Sequence, residues 1–165
     1  MLDIYTLGEE VLREKAEKIT VFDNALAIFV DAMFETMAES DGVGLAAPQV
    51  GVPSRLFVVD TRNPGEKMVF INPEIIETSQ EQGVYEEGCL SIPGMYHDVI
   101  RPLKISIQAQ DIKGKPFVLH AEGMLARVIQ HENDHLNGVL FIDRIEEVER
   151  EKLVASYKRR QKRRK

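Results

Sequence analysis

The stretch ISIQAQDIKGKPFVLHAEGMLARVIQHENDHLNG, residues 105–138, carries the pattern that decides the fold. Two β-rich runs, at 105–110 and 116–122, are separated by a Lys-Gly pair at 113–114, which favours a hairpin between them. Apolar residues then recur at helical spacing over 123–137. The stretch therefore predicts two antiparallel strands followed directly by a helix.

The segments on either side of this stretch extend the same architecture. Apolar residues recur at three- and four-residue steps over 24–40, which predicts a helix with Asp23 as its N-cap. Two further β-rich runs precede the hairpin: RLFVVD at 55–60 and MVFIN at 68–72. A heavily charged helical pattern runs from residue 144 to residue 165. A helix, then antiparallel strands, then helices indicate an α+β fold rather than a parallel βαβ fold.

Length and composition indicate one globular domain. The chain has 165 residues, of which 44% are hydrophobic and 29% are charged, close to the average for globular proteins. A chain of this length buries about 70% of its unfolded surface and needs no disulfide bonds. The N-terminus lacks the apolar stretch of a signal peptide, no run approaches the roughly 18 apolar residues of a membrane span, and a lone cysteine forms no internal disulfide. We therefore expect a cytoplasmic protein without a membrane partner.

The net charge of -6 is distributed unevenly along the chain. Residues 158–165, KRRQKRRK, hold seven of the 21 basic residues, so the rest of the chain is strongly acidic. An acidic body disfavours broad contact with DNA or anionic membranes, whereas a basic end can bind polyphosphate locally. A frayed, solvated helix end is the alternative interpretation, and composition alone does not choose between the two.

The strongest chemical signal is QHENDHLNG at 130–138. On a helix, His131 and His135 lie one turn apart on the same face, so both imidazoles can bind one metal ion. Glu132 then lies next to the ion as a candidate general base. The alternative is a chance match of two histidines in the core or on the surface.

A catalytic metal ion needs a third protein ligand and an open coordination position. The candidates are Cys89, His97, His120 and several acids. A lone cysteine is often just a small buried apolar residue, but Cys89 stands in YEEGCLSIPG, among polar and flexible residues. His97 and His120 lack such a setting, and His120 alternates with Val118 in a predicted strand. The sequence setting favours Cys89 as the third ligand and does not exclude the other candidates. A thiolate with two imidazoles would suit Fe(II), Co(II), Ni(II) or Zn(II).

A third segment, DGVGLAAPQVG at 41–51, allows two interpretations. Structurally it is a helix C-cap followed by a turn. It is not a phosphate loop, because the basic residue and the strand-to-helix context of such loops are absent. Functionally, Gly42 and Gly44 allow a ligand to approach the backbone closely, and Gln49 can donate a hydrogen bond to a developing oxyanion.

Three of these segments together, GVGLAAPQ at 42–49, EGCLS at 87–91 and QHENDHLNG at 130–138, closely resemble in order and spacing the signature motifs of peptide deformylases of the bacterial and organellar type. The resemblance implies a metal-dependent hydrolase. Its implied activity is removal of the N-formyl group from the N-terminal methionine of nascent polypeptides, with release of formate.

The resemblance also implies an architecture and its extent along the chain. The implied fold is α+β, with antiparallel β-sheets packed around a central HExxH helix. The match reaches about residue 155. We expect a catalytic domain at 1–157, followed by a basic C-terminal tail at 158–165. In a protein that acts on nascent chains, this tail favours contact with ribosomal RNA.

Individual residues acquire roles by the same resemblance. The implied metal ligands are Cys89, His131 and His135. The expected ion is Fe(II), which Zn, Ni or Co can replace. Glu132 is the implied base, which accepts a proton from a water molecule at the metal and returns it to the departing amine. The implied oxyanion donors are the Gln49 side chain and the Leu90 backbone N–H.

The substrate is expected to be an N-formylmethionyl peptide, which needs an apolar slot and backbone partners. The residues near enough in sequence to line the slot are Tyr85, Met124, Leu125 and Val128. Arg127 lies beside this face, either at the border of the slot or in solvent. Val43, Gly44 and Gly88 can pair through their backbones with an extended peptide, as an added strand does.

Glu87 belongs to the same expected substrate-binding group, and the family pattern also pairs it with Arg101 to brace the loop of Cys89. Two solvated surface charges are the alternative interpretation of this pair.

Two other classes of protein share part of these signals. A zinc endopeptidase also uses HExxH, but it takes its third ligand from downstream, and no histidine follows His135. A non-catalytic RNA-binding module explains the basic end, but it leaves the histidine pair and the Gln49 segment without a role.

Overall fold

The elements follow one another along the chain as an α-helix, a series of strands and two further helices. The computed structural model describes residues 1–164. Its strands are β1 (Gly44–Ala46), β2 (Leu56–Asp60), β3 (Lys67–Thr78), β4 (Gln82–Cys89), β5 (Ile92–Pro102), β6 (Lys104–Gln110) and β7 (Pro116–Glu122). Its α-helices are α1 (Asn24–Glu39), α2 (Gly123–His135) and α3 (Glu147–Arg163). Short 3-10 helices span Glu10–Arg13, Ala47–Val50 and Phe141–Arg144.

The strands form two antiparallel sheets. The larger sheet has five strands in the order β1-β2-β3-β6-β7, and β4 pairs with β5 in a separate two-stranded sheet. Neighbouring strands are antiparallel in both sheets. The predicted α+β fold with antiparallel sheets is therefore confirmed.

The hairpin that joins β6 to β7 is held by a single aspartate. The Asp111 carboxylate accepts hydrogen bonds from the backbone N–H groups of Lys113 and Lys115, both at 2.9 Å. Gly114 adopts a φ of 84°, a conformation that strongly favours glycine. The predicted hairpin at the Lys-Gly pair is therefore present.

Helix α1 begins and ends close to the predicted positions. The Asp23 side chain accepts a hydrogen bond from the backbone N–H of Leu26 at 3.0 Å, as expected of an N-cap. The helix buries Val30, Met33 and Met37 against one face of the larger sheet. This packing fixes the segment after α1, which runs into β1.

Helix α2 lies between the two sheets. It contacts β1, β2, β6 and β7, and its apolar side packs Ala126 and Ile129 against Phe57 and Phe70 of the larger sheet. Its polar side faces β4 and β5, to which it is joined by buried hydrogen bonds. The helix is therefore central.

Helix α3 packs on β5 rather than forming a separate extension. Leu153 and Tyr157 are buried in one cluster with Ile92 and Met95. Residues 158–163 continue α3, as the helical pattern predicts, so the boundary expected between residues 157 and 158 lies inside a helix; that division stays a prediction. Lys165, the last residue of the basic segment, lies outside the described residues.

Several strands differ from the sequence-based expectation. The segment at 41–51 contains β1 and a 3-10 helix in addition to the expected helix end and turn. The expected run at 68–72 lies in the first half of the longer β3, and β4 and β5 carry no strong strand signal. Strand β4 contains two glycines and two glutamates, residue types that are depleted in strands, and it is a strand because β5 pairs with it.

No helix within residues 1–164 combines the length and the apolar composition that a membrane crossing requires.

Candidate metal centre and active site

Three candidate ligands from two elements meet at one point. Cys89 is the last residue of β4, and His131 and His135 lie on α2. One ligand atom from each of these residues lies within 4.8 Å of the others, and Cys89 Sγ is 3.4 Å from His135 Nε2. Among residues 1–164 no other group of histidine, cysteine and acidic side chains is arranged in this way.

The donors at this point fit a divalent transition metal ion. A sulfur and two imidazole nitrogens form the mixed soft and borderline set that Fe(II), Co(II), Ni(II) and Zn(II) accept. His131 Nδ1 is hydrogen-bonded to Glu87, which leaves Nε2 as its ligand atom. His135 Nδ1 is buried without a hydrogen-bond partner among the described residues.

Glu87 is the carboxylate that orients His131. Its Oε1 lies 2.8 Å from His131 Nδ1 and accepts a bond from Arg101 Nη2 at 3.0 Å. Its Oε2 accepts bonds from Arg101 Nε and Arg127 Nη1, both at 2.6 Å. Burial raises the pKa of Glu87, but the hydrogen bonds to His131 and Arg101 outweigh this effect and hold the pKa well below its usual range. Glu87 is therefore an ionised carboxylate with both oxygens engaged.

This placement decides between the interpretations of Glu87. Glu87 and Arg101 are 6% and 4% exposed, so they are not two solvated surface charges. Glu87 reaches the wall of the cavity described below, but its carboxylate is directed at protein groups rather than left free for a substrate. The geometry supports the expected bracing role, and substrate binding by Glu87 stays a prediction.

Sequence reasoning missed two members of this network. Arg101 Nη1 donates to Asp134 Oδ2 at 2.9 Å, and Arg144 donates to both oxygens of Asp134. Asp134 directly precedes His135, inside the HExxH motif, and its position next to a candidate ligand was the available signal. The network thus joins the end of α2 to β5 and to the 3-10 helix at Phe141–Arg144.

Glu132 lies beside the ligands in an apolar setting. It is 4% exposed, its Oε2 is 4.0 Å from His131 Nε2, and its Oε1 has no hydrogen-bond partner among the described residues. Burial raises the pKa of Glu132 to about 7, although the nearby His131 opposes this shift. Such a carboxyl group can accept and release a proton near neutral pH.

Gln49 is held with its amide nitrogen towards the ligand group. Its Oε1 accepts a bond from the Ala46 backbone N–H at 2.9 Å. Its Nε2 donates to Ser91 Oγ at 3.2 Å and lies 3.5 Å from Cys89 Sγ. Sequence reasoning missed Ser91, which stands two residues after Cys89 in the turn that also contains Leu90.

A cavity of about 700 Å³ opens beside these groups. Most of the residues predicted for the site line it: Val43, Gly44, Gln49, Tyr85, Glu87, Gly88, Cys89, Leu90, Met124, Arg127, Val128, His131 and Glu132. His135 is not among the lining residues, but its Nε2 contacts Cys89 Sγ, and Cys89 lines the cavity. Leu125, also expected in the slot, packs against the hydrophobic core instead.

Other residues of the cavity were not predicted, and two histidines are elsewhere. The additional lining residues include Ile4, Glu86, Pro93 and Tyr96, none of which carries a sequence signal for this role. Tyr96 lies so close over Gly88 that a Cβ there would be 2.5 Å from the ring. His120 is hydrogen-bonded to Ser106 at 2.7 Å, and His97 lies 3.7 Å from Glu149, so neither joins the ligand group.

This combination of fold and site has counterparts among known proteins. The family profile for polypeptide deformylase matches residues 1–151. The chain belongs to the peptide deformylase family. A peptide deformylase of Chromobacterium violaceum is 48% identical over 163 residues, which are 98% of this chain and 97% of the relative. One from Picosynechococcus sp. is 51% identical over 148 residues, covering 88% of this chain and 79% of the relative.

Solved peptide deformylase structures share the fold. A crystal structure from Legionella pneumophila aligns with a TM-score of 0.90 at 42% identity, covering 99% of this chain and 98% of the other. A peptide deformylase from Synechococcus elongatus in complex with actinonin aligns with a TM-score of 0.89 at 44% identity, covering 94% and 86%.

The family assignment confirms the function predicted from the three motifs. As a peptide deformylase, the chain is a metal-dependent hydrolase that removes the N-formyl group from nascent N-formylmethionyl polypeptides. The endopeptidase and RNA-binding alternatives are thereby set aside.

The glycine above Glu132 yields a test of this geometry. A Cβ on Gly44 would lie 2.6 Å from Glu132 Oε2 and 2.8 Å from Val128 Cγ1, so Gly44→Ala must displace the carboxylate. We expect kcat/KM for formate release from formyl-Met-Ala-Ser to fall about a hundredfold, because a displacement of about 1 Å has such an effect. Gly65→Ala is the control: nothing lies within 4 Å of a Cβ at that position, and the strain of alanine at its φ of 78° should lower stability without moving Glu132. Unchanged kcat/KM in the Gly44 variant would contradict the geometry.

Proposed function

We propose that one divalent ion, bound by Cys89, His131 and His135, serves hydrolysis of the formyl amide, and that the physiological ion is Fe(II). Zn, Ni or Co can replace it. The observation that carries the proposal is the convergence of one sulfur and two imidazoles beside the buried carboxyl group of Glu132. Such an ion supplies Lewis acidity towards water and the formyl oxygen.

Glu132 is the proposed general base and acid. Its unpartnered Oε1 is free to accept a proton from the attacking water, and its raised pKa suits a group that must later release that proton. The proton returns to the nitrogen of the departing amine, which leaves as the free N-terminus. Formate is the second product.

Gln49 and Leu90 are the proposed oxyanion donors. The Gln49 amide is fixed by its bond to Ala46, so its Nε2 is oriented before substrate binds. The long contact of Nε2 with Cys89 Sγ is weak and can be exchanged for a bond to the developing oxyanion. The backbone N–H of Leu90, from the turn after Cys89, supplies the second donor.

The substrate peptide is proposed to lie along the free edge of β1. Strand β1 is at the edge of the larger sheet, so its second side is available for an added strand. The Val43 carbonyl already accepts a bond from Asp60, and by the alternation of antiparallel strands the backbone groups of Gly44 face the free edge. Gly88 borders the peptide from the opposite side of the cavity.

The methionine side chain is proposed to enter the slot next to α2. Its walls are Tyr85, Met124, Arg127 and Val128. Val128 is 6% exposed and Met124 is 40% exposed, so the slot runs from a closed end to an open mouth. Because the remaining contacts are with backbone groups, preference for residues after methionine should be loose.

The basic segment is proposed to bind ribosomal RNA, which places the enzyme at nascent chains in the cytoplasm. Within residues 158–164 every lysine and arginine is exposed, and the positive charges lie along the last turns of α3. Basic side chains bind phosphate in a salt-dependent manner. The catalytic domain proposed at 1–157 would then be presented to emerging peptides.

A direct test of the base separates catalysis from metal binding. Glu132→Gln removes the proton acceptor and no proposed ligand, so we expect one metal ion per chain and almost no formate release from formyl-Met-Ala-Ser. In the wild type, a chelator should remove both the metal and the activity. Loss of metal from Glu132→Gln would instead make Glu132 a ligand.

The oxyanion role of Gln49 is tested by truncation. An oxyanion donor contributes about 3 kcal/mol to transition-state stability, so Gln49→Ala should lower kcat on the order of a hundredfold or more. Ser91→Ala removes only a partner of the amide and should lower kcat much less. Full turnover in Gln49→Ala at unchanged metal content would refute the role.

The ribosome contact is tested by reversing charge without shortening α3. Arg159→Glu, Lys162→Glu and Arg163→Glu together should weaken cosedimentation with ribosomes at low salt and leave hydrolysis of formyl-Met-Ala-Ser unchanged. Arg160 is left intact because it donates to the Gly94 carbonyl at 3.2 Å. The control carries the same charge change at exposed Lys15, Lys113 and Lys115. Equal cosedimentation of both triple variants would remove the proposal.

A further inference from the structure

Arg127 is a buried cation that does more than line the substrate slot, because it also forms hydrogen bonds within the protein. It is 9% exposed and lies on α2 one turn before His131, on the same face of the helix. Its Nη1 donates to Glu87 Oε2 at 2.6 Å and to the Val99 carbonyl at 3.0 Å, and its Nη2 donates to the Gly83 carbonyl at 3.0 Å. One guanidinium group therefore joins α2 to both strands of the β4–β5 sheet.

The contact with Glu87 connects Arg127 to a proposed metal ligand. Glu87 Oε1 is bonded to His131 Nδ1, while Oε2 is held by Arg127 and Arg101. Carboxylates that accept from the second nitrogen of a ligating histidine fix the ring orientation and raise its basicity. A group that fixes such a carboxylate therefore affects metal binding indirectly, through the histidine that the carboxylate orients.

Arg127 and Arg101 hold Glu87 from different elements. Arg101 belongs to β5, the direct partner of the strand that carries Glu87, whereas Arg127 belongs to the helix that carries both proposed histidine ligands. The bonds of Arg127 to β4 and β5 therefore set the separation between Cys89 and the two histidines. Three donors in one plane are needed for this geometry, and a lysine ammonium cannot reproduce them.

We infer that Arg127 is a positioning residue of the metal centre, which acts through Glu87 on His131 and keeps α2 in register with the strand of Cys89. The inference rests on the ligand set proposed above. Arg127 also packs against the Tyr85 ring, with its guanidinium carbon 5.7 Å from the ring centroid. The wall of the substrate slot and the support of the metal thus share one side chain.

The test measures metal retention rather than turnover. Wild type, Arg127→Met, Glu87→Gln and the double variant are loaded with Co(II) without oxygen, and release into excess chelator is followed by the thiolate-to-cobalt absorption. Each single variant should release Co(II) about tenfold faster or more, as expected for loss of a group that supports a ligand. The double variant should release it no faster than the faster single variant, because both changes break the same link.

Arg55→Met is the matched control. Arg55 is a partly buried arginine that donates to the carbonyls of Ala16 and Leu136 and does not contact Glu87. Its loss should lower the thermal midpoint without changing the rate of Co(II) release. Faster release from Arg55→Met than from Arg127→Met would overturn the inference, because general destabilisation would then explain the effect.

Two further outcomes would overturn the inference for separable reasons. Wild-type release from Arg127→Met, or a double variant whose rate is the product of the single effects, refutes the link through Glu87. A thiolate-to-cobalt band that persists in Cys89→Ala refutes the proposed ligand set and the inference with it. If Arg127→Met does not fold, the same cycle with Arg127→Lys replaces it, and multiplicative rates there are equally decisive.

Discussion

Glu87 is an ionised carboxylate buried between two arginines and a histidine, and the arrangement around it depends on satisfying that charge. A buried carboxylate is strongly unfavourable unless it is paired and hydrogen-bonded, and removal of one partner leaves an uncompensated charge. Here the partners come from two elements: Arg101 from β5, and Arg127 and His131 from successive turns of α2. The bonds to Glu87 therefore hold α2 and the β4–β5 sheet together at the point where Cys89 meets the two histidines.

The carboxyl group of Glu132, the proposed base, depends on a different constraint, the close approach of β1 to α2. Gly44 has no side chain, and this absence lets Glu132 remain buried beside the ligands with one oxygen free. The packing of α1 and α2 against the larger sheet keeps β1 in position. A rigid scaffold of this kind can hold an acid with a raised pKa, because burial disfavours the charged form of the carboxyl group.

The shape of the site agrees with a small amide as the reacting group. Two of the proposed ligands, Cys89 and His131, line the cavity together with Glu132 and Gln49, and apolar side chains such as Met124 and Val128 line it as well. A formyl group places only a hydrogen atom beyond its carbonyl carbon, so little space is needed behind it. In the proposed binding mode, the methionine side chain and the following backbone occupy the rest of the cavity.

Local spacing by itself determined what lies within one element. The alignment of His131 with His135 follows from helical periodicity, the Asp23 cap and the β6–β7 hairpin follow from side chains within a few residues, and the order of the three motifs was enough for the family and its function. Tertiary structure alone decided contacts between distant segments. Packing brings together the groups that pair β4 with β5, that bond Arg101 and Arg127 to Glu87, and that bond Gln49 to Ser91. The free energies of these contacts depend on burial and on the pairing of polar groups rather than on sequence separation.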